Sequence, residues 1–300
     1  ESNVLRRLSK LDPDGLSKVV RWHTAFRFHA HVCIIMELLG PSITSLRRQR
    51  CDDSQNRGAG SISTIRRVAM DALAGLAFLH NHAKMIHADL KPENICRTEV
   101  RTGSKAEEEG DRRRRGDGDR GECGIGGVKL VDVGNAMALD HVAQYYDTFD
   151  VQTPTYRAPE VLFGVPFGPA IDLWSLGCIL AELLSGKPLF KTPQGKPHEL
   201  LFAMINLLGI PPKGLFKAGR FYEPLDYHFG RAVSQHPEIA SLIPKTGEQR
   251  RGKLAKVMLG GGGLSQHPDA GNLVDFIQRL LCYDPEARMG PQEAFCHPFI

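Results

Sequence analysis

The sequence predicts an α+β protein: a small strand-bearing piece followed by a mainly helical domain. Three observations carry this. His31-Val32-Cys33-Ile34-Ile35-Met36 is an unbroken apolar run of strand length, and Gly40-Pro41 closes the segment behind it. Four later stretches have helical period or length: Ser61 to His80, Ala170 to Ser185, Glu199 to Leu208 and Leu273 to Leu281. Directly after the first of these comes His87-Ala88-Asp89-Leu90-Lys91-Pro92-Glu93-Asn94, which packs an acid, a base and an amide into eight residues.

Taken in order, Val4, Leu5 and Leu8 recur at helical spacing, so residues 1–10 form a helix that ends at Asp12-Pro13-Asp14-Gly15. Residues 17–29 and 31–39 read as strands, with 31–36 apolar enough to be buried on both faces. Ser42 to Arg48 is a short helix and Gly58-Ala59-Gly60 a hinge. In the helix from Ser61, Ile62, Ile65, Ala69, Ala72, Leu76 and Leu79 make one apolar stripe. Arg66, Arg67 and Asp71 lie off it, and Ser61 or Ser63 can cap its start.

Residues 98–126 differ in kind. Glu107 to Arg120 holds acids, arginines and glycines with nothing apolar to bury, so this stretch is expected to be a disordered insertion. A strand, Gly127 to Val131, follows and runs into Asp132-Val133-Gly134. Residues 209–270 are rich in Pro, Gly and basic side chains, with Gly260 to Gly263 as a flexible joint. Asp284-Pro285 and Gly290-Pro291 read as turns.

A length of 300 residues allows one large domain or two small ones, and the net charge of +4 is too mild to argue for nucleic acid. The Arg112–Arg115 run has interleaved acids and no aromatics, as a solvated loop does, so no nucleic-acid partner is expected. Seven scattered cysteines without a Cys-x-x-Cys pair argue against a zinc or redox motif. They fit reduced thiols in an intracellular protein, cytoplasmic or nuclear. No apolar run reaches the roughly 18–20 residues needed to cross a bilayer. The start at Glu1-Ser2-Asn3 is neither an initiator methionine nor a signal peptide, which suggests a piece of something longer.

The residue types point to phosphoryl transfer, which depends on positioning and electrostatics. It needs a carboxylate for a hydroxyl proton, oxygen ligands for a hard cation and positive charge near the phosphoryl group. Asp89, Asn94, Asp132 and Lys91 supply these types. The octet fits a His-x-Asp-x-x-x-x-Asn catalytic loop. Ala158-Pro159-Glu160, Ile171-Asp172-Leu173-Trp174-Ser175-Leu176-Gly177-Cys178 and Asp284-Pro285-Glu286-Ala287-Arg288 follow in register.

On these motifs the chain resembles a eukaryotic protein kinase catalytic domain, with a protein-kinase-like fold. Within the kinases it is most similar to the DYRK (dual-specificity tyrosine-regulated) branch of the CMGC group, through Glu37-Leu38-Leu39, His87 to Ile95, Tyr156 to Leu162, Ile171 to Leu183 and Pro188-Leu189-Phe190. The resemblance implies a partial N-lobe and hinge over 1–40 and a helical C-lobe over 41–300, with a CMGC-type insert at 209–270. It implies ATP and Mg²⁺ as cofactors, protein substrates phosphorylated on Ser or Thr (Tyr remaining open), and a monomer. Asp89 would be the catalytic base and Lys91 would contact the γ-phosphate. Asn94 and Asp132 would hold Mg²⁺. Met36 would be the gatekeeper, and the backbones of Glu37 and Leu39 would bind adenine. His87 would brace the loop, Asp172 would bind its backbone amides, and Arg288 would pair with Glu160. Arg157 would shape the pocket for the residue after the target Ser/Thr, often proline in this group.

The sequence departs from the family in several places. It contains no Gly-x-Gly-x-x-Gly before the first helix, and no Val-Ala-x-Lys precedes that helix; the match begins at Glu1, where the family's helix glutamate pairs with that lysine. Either these parts lie upstream in a longer protein, or the chain is a pseudokinase or partner-binding scaffold. The 300 residues alone are expected to turn over weakly or not at all. Ala88 stands where many kinases have a phosphate-clamping Arg, as fits the DYRK branch, and Val133 where a Phe is usual. Asp150 occupies the position of the branch's activating tyrosine, either as a fixed negative charge or as a solvated loop acid; Tyr145 and Tyr146 are out of register.

Overall fold

The computed structural model describes residues 1–46, 61–98, 126–146, 151–260 and 263–300. The expected hinge at 58–60, nearly all of the 98–126 insertion, Asp150 and Gly261-Gly262 fall outside the described residues.

Helix α1 (Ser2–Leu11) buries Leu5 and Leu8 and turns its arginines outward. Strands β1 (Trp22–Phe28) and β2 (His31–Met36) form an antiparallel hairpin, with Phe28 opposite His31. The turn between them places His29 at φ 53°. The expectation that β2 is buried on both faces is wrong: Val32 is 63% exposed and Ile35 44%. The cause is the sheet. Among the described residues β2 pairs only with β1, and a two-stranded ribbon covers little of either face. The first strand also starts later than expected, because Lys18 is left-handed and residues 18–20 instead run beside β5 (Val128–Leu130).

Helix α2 (Ile62–Ala77) begins at Ser61, whose hydroxyl accepts from Thr64 N at 3.2 Å. Its whole predicted stripe is buried. Asp71 is buried as well, off the stripe but not in solvent. It accepts from Val128 N and pairs with Lys18 and Arg67, which offsets the cost of enclosing a charge. A π-helical segment, Phe78–Ala83, then ends at left-handed Lys84 and hands the chain to β3 (Met85–Ile86).

β3 pairs with β6 (Met137–Ala138), and β4 (Ile95–Arg97) with β5, both antiparallel. The short helix α3 (Pro159–Phe163) leads to α4 (Ala170–Ser185), which lies where the sequence placed it. It is buried almost all round, as its apolar run requires, and Trp174 stacks on Phe190 at 5.8 Å. Helix α5 (Pro197–Leu208) follows.

The 209–270 region is largely helical among the described residues. It holds α6 (Lys213–Phe216), α7 (Tyr222–Gln235), α8 (Glu238–Leu242) and α9 (Gly247–Leu259). Thr246 forms a capping box with Gln249, which starts α9. Helices α10 (Ala270–Leu280) and α11 (Pro291–Phe295) complete the chain. Gly290-Pro291 is a helix start rather than a turn: Gly290 is the N-cap and Pro291 sits in the first turn, where its missing N–H costs nothing. Among the described residues no helix is long and apolar enough to cross a membrane.

Candidate active site

The octet leaves β3 in an unusual backbone shape, and Asp172 holds that shape. Ala88 sits at φ 65°, uncommon for a residue with a Cβ. The Asp172 carboxylate, fully enclosed in α4, accepts from His87 N at 2.8 Å and Ala88 N at 2.9 Å. It also accepts from His80 Nε2 at 2.8 Å. The His87 ring spans the loop from the other side: Nε2 donates to Val131 O at 3.1 Å and Nδ1 accepts from Asp89 N at 3.4 Å.

Asp89 is thereby fixed with its carboxylate facing four donor atoms. Lys91 Nζ reaches Oδ2 at 2.7 Å, while Thr153 Oγ1 and N reach Oδ1 at 2.7 and 3.1 Å. Asn135 Nδ2 lies 3.5 Å from Oδ2. Burial pushes the Asp89 carboxyl up, but the hydrogen bonds from Lys91 and Thr153, with the lysine's charge, outweigh it and hold the group below the ordinary carboxylate range. A carboxylate kept ionised beside an ammonium can orient a hydroxyl and take its proton.

Asn94 Nδ2 donates to Asp89 O at 2.9 Å, which leaves the amide oxygen as the free end. The β4–β5 hairpin then sets the second acid. Ile95 faces Leu130, and Val131 N donates to Asn94 O at 2.9 Å, so Asp132 emerges at the same end as Asn94. Asp132 is exposed and left-handed at φ 60°. Val133 is fully buried beneath it. A Cβ added to Gly134 would lie 3.4 Å from Asp132 Oδ1 and 3.9 Å from the Glu1 carboxylate, so α1 brings Glu1 to the same spot. An amide oxygen and a carboxylate are hard donors suited to Mg²⁺, an ion that usually takes its remaining ligands from phosphate and water.

Met36, Glu37 and Leu39 form a strap at the end of β2, with Met36 and Leu39 partly open to solvent. Glu37 N is already used, donating to Arg21 O at 2.9 Å. Arg157 is buried and donates from Nε to Val151 O and from Nη2 to Gln152 O, bracing the segment that carries Thr153. Glu160 and Arg288 meet in a fully enclosed bidentate pair.

Sequence reading missed Thr153 and Gln152. Gln152 is left-handed at φ 62° and donates from its backbone N to Ala88 O. Its side chain donates to Ile171 O and Ser175 Oγ and accepts from Ala158 N. The available signal was their place in Val151-Gln152-Thr153-Pro154-Thr155-Tyr156-Arg157, a short distance before Ala158-Pro159-Glu160.

A buried acid braces the loop that carries Asp89, and Asn94 and Asp132 meet at one hairpin end, an arrangement suited to phosphoryl transfer. The family model for the protein kinase domain matches residues 1–300, and the chain belongs to that family. It is similar to dual specificity tyrosine-phosphorylation-regulated kinase 2 of Drosophila melanogaster, 31% identical over 300 residues that cover all of this chain and 35% of that protein. It is similar to serine/threonine-protein kinase AFC1 of Arabidopsis thaliana, 34% identical over 319 residues, all of this chain and 61% of that protein. Dual specificity tyrosine-phosphorylation-regulated kinase 4 of Homo sapiens is 31% identical over 311 residues, all of this chain and 49% of that protein. The chain thus spans less than two thirds of the length of these relatives. Its likeness lies with the DYRK family of the CMGC group.

Proposed function

We propose that this chain is the catalytic part of a DYRK-like protein serine/threonine kinase that transfers the γ-phosphoryl group of ATP to Ser or Thr hydroxyls of proteins. The observation that carries the reading is the Asp89 carboxylate held between Lys91 Nζ and the Thr153 hydroxyl, with the Asn94 amide donating to the Asp89 carbonyl. In this reading Asp89 orients the substrate hydroxyl and accepts its proton as the oxygen bonds to the γ-phosphorus. The bond from that phosphorus to the bridging oxygen breaks, and ADP leaves. Lys91 sets its positive charge against the moving phosphoryl group. Asn94 and Asp132 would hold Mg²⁺, which neutralises phosphate charge when bound. Met36 borders the adenine, the Glu37 carbonyl and Leu39 amide take its edge, and Arg157 shapes the cleft for the residue after the target. Protein substrates, a monomeric state and an intracellular setting belong to the same proposal.

The 300 residues hold no glycine-rich loop and no Val-Ala-x-Lys before the catalytic loop, so weak phosphotransfer is expected from them alone. The test is a phosphotransfer assay on the full-length protein with a Ser/Thr peptide library. Asp89→Asn and Asp132→Asn should each abolish turnover. Turnover that survives Asp89→Asn overturns the assignment.

A further inference from the structure

We infer that Lys129 is a positioning residue for the nucleotide: its ion pair with Glu37 bolts the adenine-facing strap to the strand that carries the metal-binding acid. The inference rests on the reading of the site given above. Lys129 Nζ lies 2.6 Å from Glu37 Oε1, and both side chains are mostly shielded, at 12% and 24% exposure. The same Glu37 oxygen accepts from Arg21 N at 2.7 Å, while Glu37 N donates to Arg21 O at 2.9 Å. One carboxylate oxygen therefore joins the strap, the segment before β1 and β5.

β5 has no slack with which to absorb a shift. On one side it pairs with β4, which follows Asn94. On the other, Leu130 N donates to Lys18 O at 2.8 Å and Val20 N to Leu130 O at 2.9 Å. Val128 and Leu130 face the core, fully buried, so strand alternation turns Lys129 to the opposite face, toward Glu37. Asp132 lies three residues beyond Lys129, on the order of 10 Å along extended chain. The pair thus fixes the distance between the groups assigned to adenine and those assigned to the phosphate-bound metal. An ordinary half-exposed ion pair adds little stability. This one acts through geometry, because misplacing a binding group by about 1 Å can cost as much as a hundredfold in rate or affinity.

The experiment measures steady-state kinetics of the full-length protein with Lys129→Met, Lys129→Arg and Glu37→Gln, alongside Asp89→Asn. Lys129→Met should raise KM for ATP about tenfold, with kcat and KM for the peptide within about twofold of wild type. Lys129→Arg, which keeps the charge, should recover most of the affinity. The effects of Lys129→Met and Glu37→Gln should not add, since each removes the same contact. A melting curve accompanies each variant, and if Lys129→Met does not fold, Glu37→Gln and Lys129→Gln carry the measurement. A lowered melting point with KM for ATP unchanged overturns the inference and leaves a merely structural pair. Turnover surviving Asp89→Asn overturns the site assignment instead. If wild type binds ATP without turnover, dissociation constants replace KM and the same shift is expected; failure to bind ATP at all overturns both.

Discussion

Arg288 and Glu160 meet across 128 residues of sequence, Nη1 to Oε1 at 2.6 Å and Nη2 to Oε2 at 2.9 Å, with neither side chain reaching solvent. The guanidinium also donates to Ala170 O and Cys282 O and lies over Trp174, 5.2 Å from the ring centroid. The pair pins the end of the segment carrying Thr153 to the base of the helical domain. Leaving one buried charge without its partner costs about 3–5 kcal/mol. Arg288→Ala and Glu160→Ala should each lower the denaturation midpoint accordingly. Arg288→Lys should recover little, because an ammonium cannot make the two-pronged contact. Equal stability of Arg288→Lys and wild type in urea would contradict this.

Asp89 supplies a pH prediction. Its carboxyl is raised by burial but lowered further by Lys91 and Thr153, to a net value below the ordinary 3.8. A depressed folded value means the fold favours the ionised form. The associated stability is present above the ordinary value and is lost as pH falls through the lowered one. Between about pH 5 and 8 Asp89 therefore stays ionised and produces no acid limb in kcat/KM. Thr153→Val removes the donor at 2.7 Å and should cut kcat about tenfold while nucleotide affinity holds. A kcat within twofold of wild type would show that Thr153 does not position the Asp89 carboxylate for the reaction.

Asp172 accepts three hydrogen bonds, two of them from the backbone at strained Ala88 and its neighbour His87. Asp172→Asn keeps the shape but turns an amide N–H toward one of these donors. Leaving a buried donor unsatisfied costs about 1–3 kcal/mol. The His87–Asn94 loop should loosen, read as faster amide exchange at His87 and Ala88 and a lower kcat. Unchanged exchange at both amides would refute the bracing role.

Much of this arrangement was legible in the sequence, and the misses share a cause. α4 was readable end to end because almost every side chain in it is buried, so only Asp172, Ser175 and Glu182 interrupt its apolar run. α7 and α9 were not, because each hides only a few side chains: Tyr222 and Leu225 in one, Leu254, Met258 and Leu259 in the other. So thin a stripe leaves little period to detect among Pro, Gly and basic residues. β2 failed in the opposite direction: an apolar run reports what a strand can bury, not whether a neighbour is there to cover it. Thr153 was missed because its role exists only in three dimensions, 64 residues from the carboxylate it touches.

Gly75 sets two opposing effects against each other. It lies inside α2, where alanine would ordinarily stabilise a helix by about 1 kcal/mol. A Cβ there would stand 2.8 Å from Leu130 Cδ1, 2.9 Å from Leu130 Cγ and 3.1 Å from Lys18 O. Leu130 is fully buried and cannot swing away, and Lys18 O is committed to Leu130 N. Overpacking of this kind costs about 1–3 kcal/mol, which outweighs the propensity gain. Gly75→Ala should therefore destabilise, and the displacement should pass along β5, since Asp132 follows Leu130 by two residues. The expected signature is a lower melting point together with a higher Mg²⁺ requirement for phosphotransfer. A more stable Gly75→Ala protein would mean that α2 and β5 can separate without cost, and that the strand under Asp132 is not held by this contact.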